Sequence, residues 1–242
     1  MIGCKCPVCT SLNPANRRRR SAVYVKAGET AFVIDTPPDF RDQCLENDLC
    51  RLDAILYTHA HADHILGLDD VRRFNTLRGG NVIPVYAAQD TLAEIRRIFN
   101  YISETAKDGL FRPLINFTAI DGSFTFNGIT ATPVQVVHNG PTYGYRIDFG
   151  GSSFGYVPDC KILPPEAIDV LKGVDVMILD ALRYREHATH LCIGESCELF
   201  DRIGASRNYF THLCHDIEHE KLCSELPPHI RPAHDGLNVK LI

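Results

Sequence analysis

Residues 59–64 read His-Ala-His-Ala-Asp-His, three imidazoles and a carboxylate in six positions. Imidazole and carboxylate are the side chains that hold divalent transition metals, and crowded together without a cation they repel one another once protonated. His59 and His61 are two residues apart, so on extended backbone they point to one side and can grip one ion together. Asp63 and His64 follow where the chain turns towards a helix, in position to face a second ion beside the first. Gly67, in the first turn of that helix, lets backbone pass close to the site because it carries no side chain.

The run needs a rigid base, and Ala54-Ile-Leu-Tyr-Thr58 supplies one. It is a short apolar and β-branched stretch that reads as a buried strand. Strands are predicted at 21–26, 30–35, 53–58, 82–86, 129–137, 143–149, 152–157, 175–180, 207–211 and 237–241. Helices are predicted at 38–47, 64–76, 89–99, 165–172, 194–203 and 215–223. Strand groups alternate with helical ones, the pattern of an α/β protein with helix-covered sheets. Pro133 interrupts the strand at 129–137. The stretch 100–128 has weak periodicity and reads as an insertion or lid beside a site.

His59-Ala-His-Ala-Asp-His-Ile-Leu-Gly67 resembles the signature of the metallo-β-lactamase fold superfamily. That resemblance can be followed along nearly the whole chain. It implies an αββα four-layer sandwich, two facing mixed β-sheets flanked by helices, as one hydrolase domain over residues 1–242. It also implies three further metal ligands, each closing a later strand, and the chain supplies His138, Asp159 and His212. By the same resemblance His59, His61 and His138 hold one ion, Asp63, His64 and His212 hold the other, and Asp159 bridges them. Asp35, ending Thr30-Ala-Phe-Val-Ile34, matches an acid that fixes the tautomer of a ligand histidine. His190 matches a histidine lying over the metals, a general acid or phosphate clamp, with His187 its nearest competitor. Asp63 is a second candidate proton shuttle. His219, His229 and His234 read as surface or packing residues.

The chain opens with Cys4, Cys6 and Cys9, three thiols within six residues with Pro7 between them, a structural-zinc pattern that lacks its fourth ligand. His215 is the candidate, with Cys214 a rival. The branch of the superfamily containing the phosphoribosyl cyclic phosphodiesterase of phosphonate breakdown has a Cys-x-Cys-x-x-Cys near its start, completed by the His of a Thr-His-x-x-His motif. Here that motif is Thr211-His-Leu-Cys-His215. Members of that branch have a strand and a Gly-rich turn before the Cys motif. The expectation is therefore that residues 1–20 form the staple loop, that a first strand lies upstream, and that one sheet is left with an exposed edge.

The composition sets outer bounds. A chain of 242 residues, 45% hydrophobic, can build one large α/β core. No apolar stretch approaches membrane-spanning length, so no membrane partner is expected. Ten cysteines without the small size that needs disulfide staples suggest reduced thiols and a cytoplasmic enzyme. A net charge of -5 argues against a general nucleic-acid binder. Arg17-Arg-Arg-Arg20 is the local exception, read as a solvated face or as an anion-attracting rim. A homodimer is an expectation resting only on how common such assemblies are.

Two divalent ions, zinc or manganese, sharing a water would supply hydroxide at neutral pH, so no Ser or Cys nucleophile is required. The expected activity is hydrolysis of a small (cyclic) phosphodiester through that metal-bridging hydroxide. Carboxylic-ester, lactone or thioester hydrolysis with the same metals is the enzymatic alternative. A carrier or binding protein, as in the pyrroloquinoline-quinone biosynthesis branch, is the non-enzymatic one. The RNA-gripping arm of the tRNA 3′-end nucleases has no counterpart in the sequence.

Overall fold

The computed structural model of the chain describes residues 1–103 and 111–241. The chain forms two compact units. One is contiguous, Arg20–Asn127; the other is discontinuous, Met1–Arg19 with Gly128–Ile242.

The contiguous unit is built on a five-stranded sheet: β1 (Val23–Ala27), β2 (Thr30–Ile34), β3 (Ala54–Leu56), β4 (Ile83–Ala87) and β5 (Ile115–Ala119), in that order. β1 and β2 pair antiparallel and the remaining neighbours pair parallel. Every residue of β2 and β3 is buried. That burial is why both read as unbroken apolar runs rather than as alternating ones. Helices α1 (Phe40–Glu46), α2 (Ala62–Ile65), α3 (Arg72–Leu77), α4 (Gln89–Ile98) and α5 (Asn100–Ser103) complete the unit. Its core gathers Val33, Ile55, Tyr57, Leu68, Val85 and Leu92.

The predicted helix over 64–76 is instead three short pieces. α2 ends at Ile65, a 3-10 turn covers Leu68–Val71, and α3 follows. The break has a packing cause. A Cβ on Gly67 would lie 2.3 Å from the Pro37 carbonyl oxygen and 2.6 Å from the Phe40 Cβ. The Gly67 N–H donates to the Thr36 carbonyl and the Thr36 N–H to the His64 carbonyl. The backbone that Gly67 admits is therefore the segment that follows Asp35. Within the stretch 100–128, read as an insertion or lid, 115–119 forms β5. Residues 104–110 lie outside the described residues.

The second sheet runs β12-β11-β10-β9-β8-β7-β6. Its members are β6 (Phe124–Phe126), β7 (Ile129–Val137), β8 (Pro141–Phe149), β9 (Ser152–Val157), β10 (Val176–Asp180), β11 (Arg207–Thr211) and β12 (Ile230–Pro232). β7 to β9 pair antiparallel, and β9 to β12 pair parallel. Asn127 and Gly128, at φ 47° and 78°, make the two-residue turn between β6 and β7, a geometry that suits strand twist. β7 runs unbroken through Pro133, which sits opposite Tyr145 of β8. Helices α6 (Pro165–Leu171), α7 (Ile193–Ile203) and α8 (His219–Glu225) belong, with β7 to β12, to the discontinuous unit. Leu171, Met177, Leu179, Phe200 and Phe210 are central to its core.

Two predictions fail here. The strand expected at 237–241 does not form, and the sheet instead ends in β12, paired with β11. The helix expected from 215 starts at His219, with Glu218 accepting from the Lys221 N–H at 2.7 Å as its cap. Residues 212–217 stay irregular and carry site residues instead.

Candidate metal centres

In the contiguous unit, three consecutive pieces of chain bring the site residues together. β2 is followed by Asp35, β3 leads through Tyr57 and Thr58 into His59, and α2 opens with His61 as its cap and carries Asp63 and His64. Asp35 is fully buried and held at φ 67°, a left-handed conformation unusual for a side-chain-bearing residue. Its carboxylate accepts the Thr58 N–H and the Thr58 hydroxyl, each at 2.9 Å, and the His64 Nδ1–H at 2.8 Å. Burial pushes this carboxyl up, and those donors pull against it.

The consequence is a fixed set of tautomers. The Thr58 hydroxyl hydrogen is committed to Asp35, so its oxygen accepts from His59 Nδ1 at 3.0 Å. His59 Nε2 and His64 Nε2 are then both lone pairs. His59 Nε2 lies 2.9 Å from His61 Nδ1. Two nitrogens about 2.0–2.1 Å from one ion at right angles would be separated by roughly that distance. Asp63 Oδ2 lies 3.8 Å from His64 Nε2.

In the discontinuous unit, His138 follows β7, Asp159 follows β9, Asp180 ends β10, and His212 follows β11. β7, β9, β10 and β11 thus each deliver a polar side chain at the carboxyl end, where the backbone ladder stops. The Thr189 carbonyl can only accept, so His138 Nδ1 carries the hydrogen of their 2.7 Å bond. Its Nε2 lone pair faces Asp159 Oδ2 at 3.3 Å. The other carboxylate oxygen, Oδ1, lies 3.5 Å from His212 Nε2. His212 sits at φ 57°. Asp159 is buried, and each of its oxygens addresses a different imidazole, the arrangement a carboxylate bridging two cations requires. A lone pair facing a carboxylate needs a shared positive charge, so this donor set fits metal.

His190 donates Nδ1–H to Asp180 Oδ2 at 2.8 Å and stacks on His212 with ring centroids 4.8 Å apart. Burial pushes the Asp180 carboxyl up, opposed by the His190 hydrogen bond and the nearby His212. His187 packs against His190 at 5.1 Å between centroids. Burial and the positive field of His190, Arg183 and Lys161 hold the His187 imidazole below its ordinary range.

The staple residues also converge. Cys4 Sγ and Cys6 Sγ each lie 3.5 Å from His215 Nδ1. All four ligand atoms, Cys9 included, lie within 4.8 Å of one another. Tetrahedral zinc at ordinary bond lengths places sulfur and nitrogen ligands about 3.5 Å apart. Bonding to His215 lowers the Cys6 thiol to about 6, so it is largely thiolate at neutral pH. Cys214 takes no part; its sulfur accepts the Asp216 N–H. Arg18 corrects the reading of the basic run as a plain solvated face. It is half-buried, and its guanidinium donates to the carbonyls of Cys214 (3.2 Å) and Ile217 (2.8 Å), bracing the turn that carries His215. His219 is half-buried beside His234, a packing role as expected.

The sequence reading missed Thr58, Asp180 and Thr189. Asp180 left a signal, since it closes an apolar strand as Asp35 and Asp159 do. Thr189 acts through its backbone and left none.

The profile of the β-lactamase superfamily domain matches residues 30–213. The chain belongs to that superfamily. This superfamily member superposes on the crystal structure of a diphosphatase from the PhnP family with a TM-score of 0.89 and 38% identity, over 98% of this chain and 89% of that one. It therefore has the metallo-β-lactamase fold, α/β with two mixed sheets flanked by helices, on the branch expected from the Cys motif. It is 33% identical over 98% of its length to an octanoyltransferase from Porphyromonas gingivalis, of which it covers 48%. It is 31% identical over 56% of its length to a ribonuclease Z from Staphylococcus carnosus, of which it covers 45%. The superfamily member thus spans about half the length of the curated relatives it matches. Among the described residues no helix is long and apolar enough to cross a membrane.

Proposed function

We propose that this chain is a dinuclear metal-dependent phosphodiesterase acting on a small (cyclic) phosphodiester. His59, His61 and His138 would hold one ion, Asp63, His64 and His212 the other, with Asp159 between them. The observation that carries the reading is the pair of contacts at Asp159, one oxygen to His138 and the other to His212. The similarity to a diphosphatase and to ribonuclease Z supports phosphorus–oxygen cleavage over carbonyl chemistry.

Two divalent ions, zinc or manganese, would supply Lewis acidity and an ionised water at neutral pH. The chain's own residues do the rest. Asp35 holds His59 and His64 as lone-pair donors. His190, with its Nδ1–H on Asp180, presents Nε2 to the leaving oxygen and delivers a proton there; the Asp180 carboxylate stabilises the imidazolium that gives it up. Asp63 is the second candidate shuttle. Cys4, Cys6, Cys9 and His215 would hold a structural zinc that pins the 212–215 turn.

The test is elemental analysis followed by metal titration with bis(p-nitrophenyl) phosphate. Three metals per chain and metal-dependent turnover are expected, and His59→Ala should cut turnover by about a hundredfold or more. Turnover that survives in His59→Ala rules out the dinuclear mechanism. Turnover of lactones or thioesters without phosphodiesters favours the carbonyl alternative.

A further inference from the structure

The amino-terminal segment folds against a short stretch near the other end of the chain. Asn13 donates to Glu220 at 3.2 Å, and Asn16 donates to Glu218 at 2.7 Å and accepts the His219 N–H at 2.9 Å. Asn16 is buried, and its Oδ1 also accepts from Arg18 Nη2 at 3.4 Å. The other arm of that guanidinium, Nη1, reaches the Cys214 carbonyl at 3.2 Å and the Ile217 carbonyl at 2.8 Å. The Arg18 Nε–H is buried without an acceptor. A guanidinium loses water at a cost, and an unmet donor adds to it. Arg18 is thus placed for its hold on main chain, at the expense of its own solvation.

The two carbonyls flank His215 on a stretch, 212–217, that is neither helix nor strand. His212 opens the stretch at φ 57°, a left-handed conformation that a side-chain-bearing residue keeps only where its surroundings hold it. On the strand side the hold is the Ala181 N–H on the Thr211 carbonyl at 3.1 Å. On the other side the Cys214 N–H bonds the Leu182 carbonyl at 2.8 Å, and the Cys214 carbonyl goes to Arg18. That carbonyl belongs to the peptide leading into His215, whose Nδ1 faces the Cys4 and Cys6 sulfurs. Nδ1 is the ring nitrogen nearer the backbone, so its place follows the main chain closely. One guanidinium therefore grips the chain between a candidate staple ligand and a candidate catalytic ligand three residues away.

We propose that Arg18 is a positioning residue that couples the two metal sites: by fixing the main chain over 214–217 it sets His215 for the staple and His212 for the ion assigned to it. This inference rests on the dinuclear reading above. The planar fork can serve both carbonyls and Asn16 at once, whereas an ammonium is a point donor. The coupling is reciprocal, so zinc in the staple stiffens the turn and tightens the ion at His212, and that ion tightens the staple.

The experiment starts from protein holding one zinc per chain, which soft thiolates direct to the staple. Zinc retention is read as the rate of release to a chromophoric chelator. Manganese(II) affinity at the remaining ligands is read by electron paramagnetic resonance. In Arg18→Ala, zinc should leave about tenfold faster and manganese should bind about tenfold more weakly, the low end for a residue that orients a ligand without touching the metal. Free guanidinium at a non-denaturing concentration should restore much of both. Arg18→Lys keeps the stem and the charge, and it should show both losses without rescue even if Arg18→Ala does not fold. Faster zinc release with manganese affinity unchanged, no change in either, or losses in Arg18→Ala that guanidinium leaves in place overturns the proposal. A wild-type chain that binds fewer than two manganese ions beside its zinc would instead remove the dinuclear reading, an outcome seen before any variant is made.

Discussion

At the scale of single residues, the site is organised by groups that would touch no substrate. Asp35 reaches two histidines at once, His64 directly and His59 through the Thr58 hydroxyl, and so decides which nitrogen each offers. Asp35→Asn puts an amide where a carboxylate accepts three hydrogens. Metal affinity should fall by roughly 10–100-fold, read by competition against a chromophoric chelator, while far-UV circular dichroism stays unchanged. Unaltered affinity would mean that Asp35 only fills space. The His-x-His-x-Asp-His run announced its candidate ligands in the sequence because ligand spacing is local. The hydrogen-bond chain behind them was only half legible. Asp35 and Asp180 stand at strand ends where a charge is conspicuous, but Thr58 and Thr189 carry no such mark.

At the scale of elements, the ends of strands and one crowded glycine do the positioning. Gly67 has φ -85°, so it is there for space rather than for backbone freedom. Gly67→Ala drives a methyl into the Pro37 carbonyl and Phe40. It should cost about 1–3 kcal/mol, the usual penalty for overpacking, or roughly 2–10 °C in Tm for a chain of this size. It should also weaken metal binding, because the displaced segment continues from Asp35. Calorimetry with and without added zinc checks both, and a variant that melts like the parent would refute the packing argument. Buried strands such as β2 and β9 were plain as apolar runs. β5, β6 and β12 were not, because two lie in a weakly patterned stretch and the third is a three-residue strand of Ile, Arg and Pro. The helix at 64–76 looked continuous because its periodicity is. Its interruption comes from a contact 30 residues away in sequence, between Gly67 and Pro37.

At the scale of the whole molecule, acid stability depends on buried carboxylates. Asp53 is buried between strands, accepting the Ala31 N–H at 2.8 Å and Arg51 Nε at 2.7 Å, with Arg78 at 2.9 Å. Burial opposes its ionisation, but these donors outweigh it and hold the carboxyl below the usual range. A depressed carboxyl stabilises the fold above its unfolded value, near 4, and that stability is lost as pH falls through the folded value. Asp53→Asn should therefore cost about 2 kcal/mol at neutral pH, with the gap to the parent narrowing below about pH 4. Urea unfolding across a pH series checks this. A gap that stays constant into acid would show that Asp53 contributes through packing alone.

The sequence alone determined the superfamily and marked out the His-x-His-x-Asp-His run and the cysteine cluster as candidate metal sites, because each is written in close spacing or in residue types that strand ends seldom carry without cause. Tertiary structure decided which nitrogen of each histidine faces inward, which oxygen of Asp159 meets which ring, and that Arg18 braces the staple turn rather than lining a rim. Those properties depend on hydrogen-bond partners contributed by residues distant along the chain, and no local pattern encodes the identity of a distant partner.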